Sequence, residues 1–145
     1  MTSSMACDVP ASVSARRCVL AWVVTAASTI ALRALRLQRI ERLARGLVHA
    51  APRPVDATEI EAMLAAIDRA CRWIPARVAC LERSLAVVLW CGLRRRSVCW
   101  RIGVRALPFT AHSWVEVAGQ PVGELTPVHS YQPILTIGRP EREEP

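Results

Sequence analysis

Cys80, His112 thirty-two residues further on and Glu124 twelve beyond that place a thiol, an imidazole and a carboxylate in one short stretch of chain. Such a trio is the equipment of nucleophilic thiol catalysis, in which the acid holds the ring, the ring takes the thiol proton and the thiolate attacks an acyl carbon. Taken singly, each residue has an ordinary explanation: a buried helix-start cysteine, a strand histidine, an edge-strand carboxylate. Only the joint pattern points to chemistry. His129 is a rival base, in the loop-like stretch Thr126–Pro133. Cys91 and Cys99 are rival nucleophiles, one near a helix end, where the dipole disfavours a thiolate, and one within a strand.

The elements that must position these groups can be read from local pattern. The segment LERSLAVVLWCGLRRR, residues 81–96, is rich in strong helix formers, so a helix is expected with Cys80 in its first turn and Gly92 near its end. Unpaired backbone N–H groups at a helix start favour a thiolate and can donate to a developing oxyanion. Beyond the helix the period becomes two. Ser97–Arg105 reads as a strand, Pro108–Phe109 as a corner, Ala111–Val117 as a second strand and Pro121–Leu125 as a short third. A three-residue loop over Val117–Gly119 would set Glu116 opposite Gln120, and hence His112 opposite Glu124 on one face. Trp114 and Glu116 share that face by parity and are expected to frame the site on the substrate side.

Upstream, Thr58 and Glu61 have capping-box spacing, and Ile60, Met63, Leu64, Ile67 and Cys71 repeat at helical intervals, predicting a helix over Ala57–Trp73 that Pro75 closes. Cys71 is expected to be a small core residue. The two prolines of Ala51–Pro54 mark a linker, dividing the chain into an N-terminal helical extension, 1–50, and a folded domain, 51–145. Within the extension, Cys18–Leu32 is a run of fifteen uncharged residues, short of the ~20 that span a bilayer. It continues into a second helical pattern without a convincing cleavage site, which suits a buried or membrane-touching helix better than a signal peptide.

All nineteen cations among the 145 residues are arginines and the formal net charge is +7, which suits anionic partners without selecting one. Arg33, Arg36, Arg39, Arg42 and Arg45 recur every third residue, so on a helix they wind around the cylinder instead of holding one face. No aromatic residues are interleaved, and nucleic acid is not expected as a partner. Six irregularly spaced cysteines without a C-x-x-C pair fit reduced cytosolic thiols and disfavour a structural zinc site. No metal or nucleotide motif is visible, so no cofactor is expected.

The block A-C-L-E-R-S-L, residues 79–85, and the block P-F-T-A-H-S-W-V-E-V, residues 108–117, resemble the leader peptidases of lasso-peptide biosynthesis, which are transglutaminase-like cysteine proteases. The resemblance covers about Pro75 to Tyr131. It implies an α+β fold with a papain-like core: the helix bearing the cysteine packs on a small antiparallel sheet bearing the histidine and the acid, with N-terminal helices in addition. Carried over residue by residue, Cys80 would be the nucleophile, His112 the general base and later acid, and Glu124 the orienting acid. That third position is usually Asp in the family, so Glu124 asks for a slightly shifted hairpin. Trp114 and Glu116 match the second block.

The activity so implied is removal of the leader from a ribosomally made precursor, after which an ATP-dependent cyclase acts on the freed amine. The precursor leader peptide, a separate leader-recognition protein and that cyclase are the implied partners, and the implied location is the cytoplasm, with membrane contact through the N-terminal helix left open. Two alternatives stand beside this reading. One is an amide transferase or deamidase using the same triad; the other is a non-catalytic, membrane-associated scaffold of the biosynthetic complex.

Overall fold

The computed structural model describes residues 14–139. Four helices come first: α1 (Ala15–Ala34), α2 (Leu37–Ala50), α3 (Ala57–Cys71) and α4 (Cys80–Leu93), with a two-residue strand β1 (Arg53–Pro54) between α2 and α3. Then follow β2 (Arg96–Ser97), β3 (Cys99–Ala106), β4 (Phe109–Val117), β5 (Gln120–Pro121), a short 3-10 turn at Val128–Ser130 and β6 (Gln132–Ile137). The main sheet is antiparallel with the order β5-β4-β3-β6, and β1 pairs with β2 in parallel as a separate two-stranded sheet. The α+β arrangement expected from the sequence, helices packed on a small antiparallel sheet, is the one observed.

The expected α3 is present, but Asp56 stands at its N-cap, so Thr58 falls inside the first turn and the Thr58–Glu61 capping box does not form. The Thr58 hydroxyl instead donates to Asp56 at 2.7 Å. In α1 the inward face is small and hydroxylated: Ala21, Val24, Thr25, Ser28 and Thr29 are buried. The hydroxyls of Thr25, Ser28 and Thr29 are satisfied by carbonyls of their own helix, at 2.6, 2.8 and 2.9 Å. Small side chains let the helix lie close against α3 and α4, while the bulkier Val19, Trp22, Val23 and Ile30 stay exposed. By length and composition alone α1 could cross a membrane. Ala21 and Val24 of α1, Ile40, Ala44 and Val48 of α2, Ile60 and Ile67 of α3 and Val87 and Trp90 of α4 join one apolar cluster with Trp100, Val115 and Ile137 of the sheet.

Helix α4 lies against β4, and its seat there is polar at one point. Ser84 Oγ and Ser113 Oγ are 2.6 Å apart, and the indole N–H of Trp100 donates to both at 2.9 Å. All three residues are buried. Each such buried bond contributes on the order of 1 kcal/mol, and leaving one partner unsatisfied costs more than the bond contributes. The cluster therefore fixes α4 at one height on the sheet, four residues after Cys80 and one residue after His112.

The β4-β5 hairpin departs from expectation. Its loop has two residues, not three: Ala118 and Gly119 both have positive φ, 51° and 75°, the combination that a two-residue hairpin turn requires. Glu116 consequently pairs with Pro121 and Val117 with Gln120. The expected third strand over Pro121–Leu125 stops at Pro121, apart from one further bond from Val122 N–H to the Val115 carbonyl at 3.1 Å. The stretch read as loop up to Pro133 gives way to β6, which pairs with β3 across a register shift at Ile102 and Gly103.

Candidate active site

Cys80 is the first residue of α4, and Ala79 before it is extended. The Glu82 carboxylate accepts from the Ala79 N–H at 3.1 Å, and the first amide to turn back into the helix is that of Arg83, which donates to the Ala79 carbonyl at 3.0 Å. The amides of Cys80 and Leu81 thus stand at the positive end of the helix without an acceptor in the preceding turn. The Cys80 side chain borders a cleft of about 220 Å³, together with Arg83, Ser84, His112, Ser113 and Glu124. The sequence-derived trio is therefore brought to one cavity.

Glu124 reaches that cavity by a route the sequence did not suggest. With the two-residue loop, a continued strand would set residue 125 opposite His112 and turn Glu124 to the other face. Gly123 prevents this. It has φ +69°, a bend that glycine adopts without strain, and a Cβ there would also press on the end of the Leu64 side chain. The bend delivers Glu124 Oε2 to 2.6 Å from His112 Nε2, with both side chains largely buried. An ionised carboxylate can only accept, so Nε2 carries the proton and Nδ1 is left as the basic nitrogen of the ring.

The second oxygen of Glu124 lies 4.0 Å from Arg83 Nη1. Arg83 is itself gripped by Asp68 of α3 through two bonds, 2.7 Å at Nε and 2.9 Å at Nη2, and its pKa is raised, first by that hydrogen bond. A chain of contacts thus runs from Asp68 through Arg83 and Glu124 to His112. Sequence pattern gave Arg83 only as part of a motif and did not single out Asp68.

Trp114 and Glu116 lie on the His112 face of β4 but do not border the cleft. The Trp114 ring stacks alongside His112 with centroids 6.0 Å apart and 16° between planes. Its indole N–H donates to Glu116 Oε1 at 2.9 Å, and Glu116 Oε2 lies 3.0 Å from Arg101 Nε. Glu116 borders a separate cavity of about 450 Å³, shared with His49, Ser97 and Arg139. Tyr131, which the sequence reading passed over, closes the group at 5.5 Å from His112 and 6.3 Å from Trp114. Gly103, the cross-strand partner of His112, makes room for the Trp114 ring and the base of the Tyr131 side chain: a Cβ there would stand 2.9 Å from the ring and 3.0 Å from Tyr131 Cβ. A glycine inside a β pattern was the available signal.

The rivals are elsewhere. His129 faces a different cavity. Burial pushes the thiols of Cys71 and Cys99 up, and that of Cys91 up to about 12. None of these is ready to act as a thiolate at neutral pH. Five cysteines are free thiols among the described residues; Cys7 lies outside them.

A family model described as the transglutaminase-like superfamily matches residues 21–136. The chain belongs to this superfamily. No curated protein and no solved structure matches it significantly. In this transglutaminase-like chain the matched segment runs from within α1 through most of β6 and contains every residue of the cleft. Membership is consistent with cysteine-protease-like chemistry.

Proposed function

We propose that this protein is a cysteine peptidase that removes the leader from a ribosomally made lasso-peptide precursor, with Cys80 as nucleophile, His112 as base and Glu124 as orienting acid. The observation that carries the catalytic part is a cleft bordered both by a helix-start cysteine and by a histidine already held through Nε2 by a carboxylate. The choice of substrate rests on the resemblance of residues 79–85 and 108–117 to the lasso leader peptidases.

In this reaction His112 Nδ1 takes the Cys80 proton as Sγ bonds to the scissile carbonyl carbon. The resulting oxyanion accepts hydrogen bonds from unpaired amides at the start of α4. Collapse breaks the C–N bond, and the imidazolium returns its proton to the leaving amine, which is the new N-terminus of the core peptide. A water then gives a proton to Nδ1 and attacks the thioester. The leader departs with a free carboxylate, and the proton returns to Cys80. Glu124 keeps the ring oriented and stabilises its positive form throughout. A separate leader-recognition protein would present the precursor, and an ATP-dependent cyclase would consume the freed amine.

Mass spectrometry of the precursor after incubation with the recognition protein and either wild type or Cys80→Ala tests this reading. The expected result is a single cut at the leader–core junction that disappears in the variant. An uncut precursor with folded wild-type protein would overturn it, and an amine adduct on the leader carboxyl would reassign the reaction to amide transfer.

A further inference from the structure

Two arginines of β3, Arg101 and Arg105, lie on the same face of the sheet as Gly103 and, across the strand pair, His112. Their surroundings differ. Arg101 is paired in charge with Glu116 at 3.0 Å, although its Nε makes no hydrogen bond there. Arg105 has no carboxylate within 4.0 Å among the described residues, and its Nε is buried without an acceptor. The guanidinium rests over the Tyr131 ring at 5.2 Å from the centroid, a contact that holds its plane but satisfies none of its N–H groups. It borders a cavity of about 370 Å³ together with Phe109, His129, Ser130, Tyr131 and Gln132.

We infer that this cavity is a substrate subsite in which Arg105, braced by Tyr131, binds an acidic side chain of the peptide close to its cleavage point. The inference rests on the proposed peptidase reading and adds the chemistry of one substrate position. Tyr131 borders the Arg105 cavity only, yet it links the two places: its ring centre lies 5.2 Å from the Arg105 guanidinium and 5.5 Å from the centre of the His112 ring. An extended peptide covers that span in about three residues. A guanidinium with an unused buried donor recognises a carboxylate by paired, charge-assisted hydrogen bonds that an amide of the same shape cannot reproduce. The exposed Phe109 ring at the rim gives an apolar surface for the stem of that side chain.

The test uses full-length protein and synthetic junction peptides that carry Glu, Gln or Lys at each of three positions on either side of the cut. At one position the wild type is expected to cleave the Glu peptide with about tenfold higher kcat/KM than the Gln peptide. That ratio should fall to about one in Arg105→Gln and turn in favour of Lys in Arg105→Glu. A Glu-over-Gln ratio that survives in Arg105→Gln overturns the subsite. So does an equal loss for all three peptides, which would make Arg105 a mere prop for Tyr131. Fluorescence anisotropy of the same labelled peptides with Cys80→Ala, and with Cys80→Ala carrying Arg105→Gln, separates the two claims. A Glu preference in binding that vanishes with Arg105 supports the subsite even if nothing is cut. The absence of any preference overturns it whether or not the peptidase reading holds.

Discussion

Cys80 and Cys91 sit on the same helix, eleven residues apart, and could hardly differ more in circumstance. Cys80 opens α4, beside amides without acceptors and at the edge of a cleft that also holds His112. Cys91 lies in the last turn, fully buried against Met63, with its thiol pushed up to about 12, first by desolvation and then by Glu59. The same functional group is thus offered to substrate at one end and sealed into the core at the other. Reactivity in this fold is a property of place along the helix and of what faces it.

The sharpest way to break the contrast is to exchange the roles by mutation. Cys80→Ala should lower peptide cleavage by at least about 10³-fold with an unchanged melting temperature. Cys91→Ala should leave the rate within about twofold and lower stability by about 1 kcal/mol through lost packing. Kinetics and thermal melts on the two variants decide it, and a Cys91 variant that is folded but inactive would end the comparison. Next in size, Glu124→Gln should cost about 100-fold in kcat/KM, since an amide holds the ring without stabilising its charged form.

Much of that contrast was legible in sequence, because it depends on local pattern: helix formers from Leu81 onward, the position of Cys80 ahead of them, the alternation through β3 and β4. The His112–Glu124 contact was anticipated as well, yet through a hairpin register that does not exist. The expected three-residue loop is a two-residue one, and Gly123 supplies the missing displacement by ending the strand. Strand β6 was not legible, since Gln132 and Pro133 imitate loop and its pairing is with a strand some thirty residues away across a bulge. The Ser84, Ser113 and Trp100 cluster draws on three elements, and no local spacing announces it. For α1 the pattern was readable but inverted: the small hydroxylated residues face inward and the bulky apolar ones outward.

Alkaline pH sharpens the comparison from the buried side. The Cys91 thiol rises from 9.0 to about 12 in the folded protein, so the unfolded chain releases this proton first as pH increases. Its contribution to stability is complete below pH 9 and declines between about pH 9 and 12, by at most about 1.4 kcal/mol per pH unit. Urea melts across that range should show the decline, and Cys91→Ala should flatten it. A slope unaltered by the substitution would assign the alkaline transition to other groups.

The smallest expected effect concerns the neighbour of the neighbour. Arg83→Met removes the cation between Asp68 and Glu124 and should lower kcat/KM several-fold. The acid limb of the pH profile should also move to higher pH, as loss of a nearby positive charge favours protonated forms. Arg83→Lys, which keeps the charge but not the paired grip on Asp68, should restore the limb more than the rate. Equal losses of rate in both variants without movement of the limb would make Arg83 a packing residue.

The three-way bond among Ser84, Ser113 and Trp100 gives this molecule a particular way of failing. The thiol rides on a helix and the imidazole on a strand, and what keeps the two in step is a knot of neutral groups inside the core, out of reach of salt and of surface charge. Warming that loosens loops should leave this seating of helix on strand in place. Heating should therefore part helix from strand only as the interior opens and the tryptophan emission changes, whereas Glu124, which reaches the ring from a loop, is the member of the trio that warming releases first.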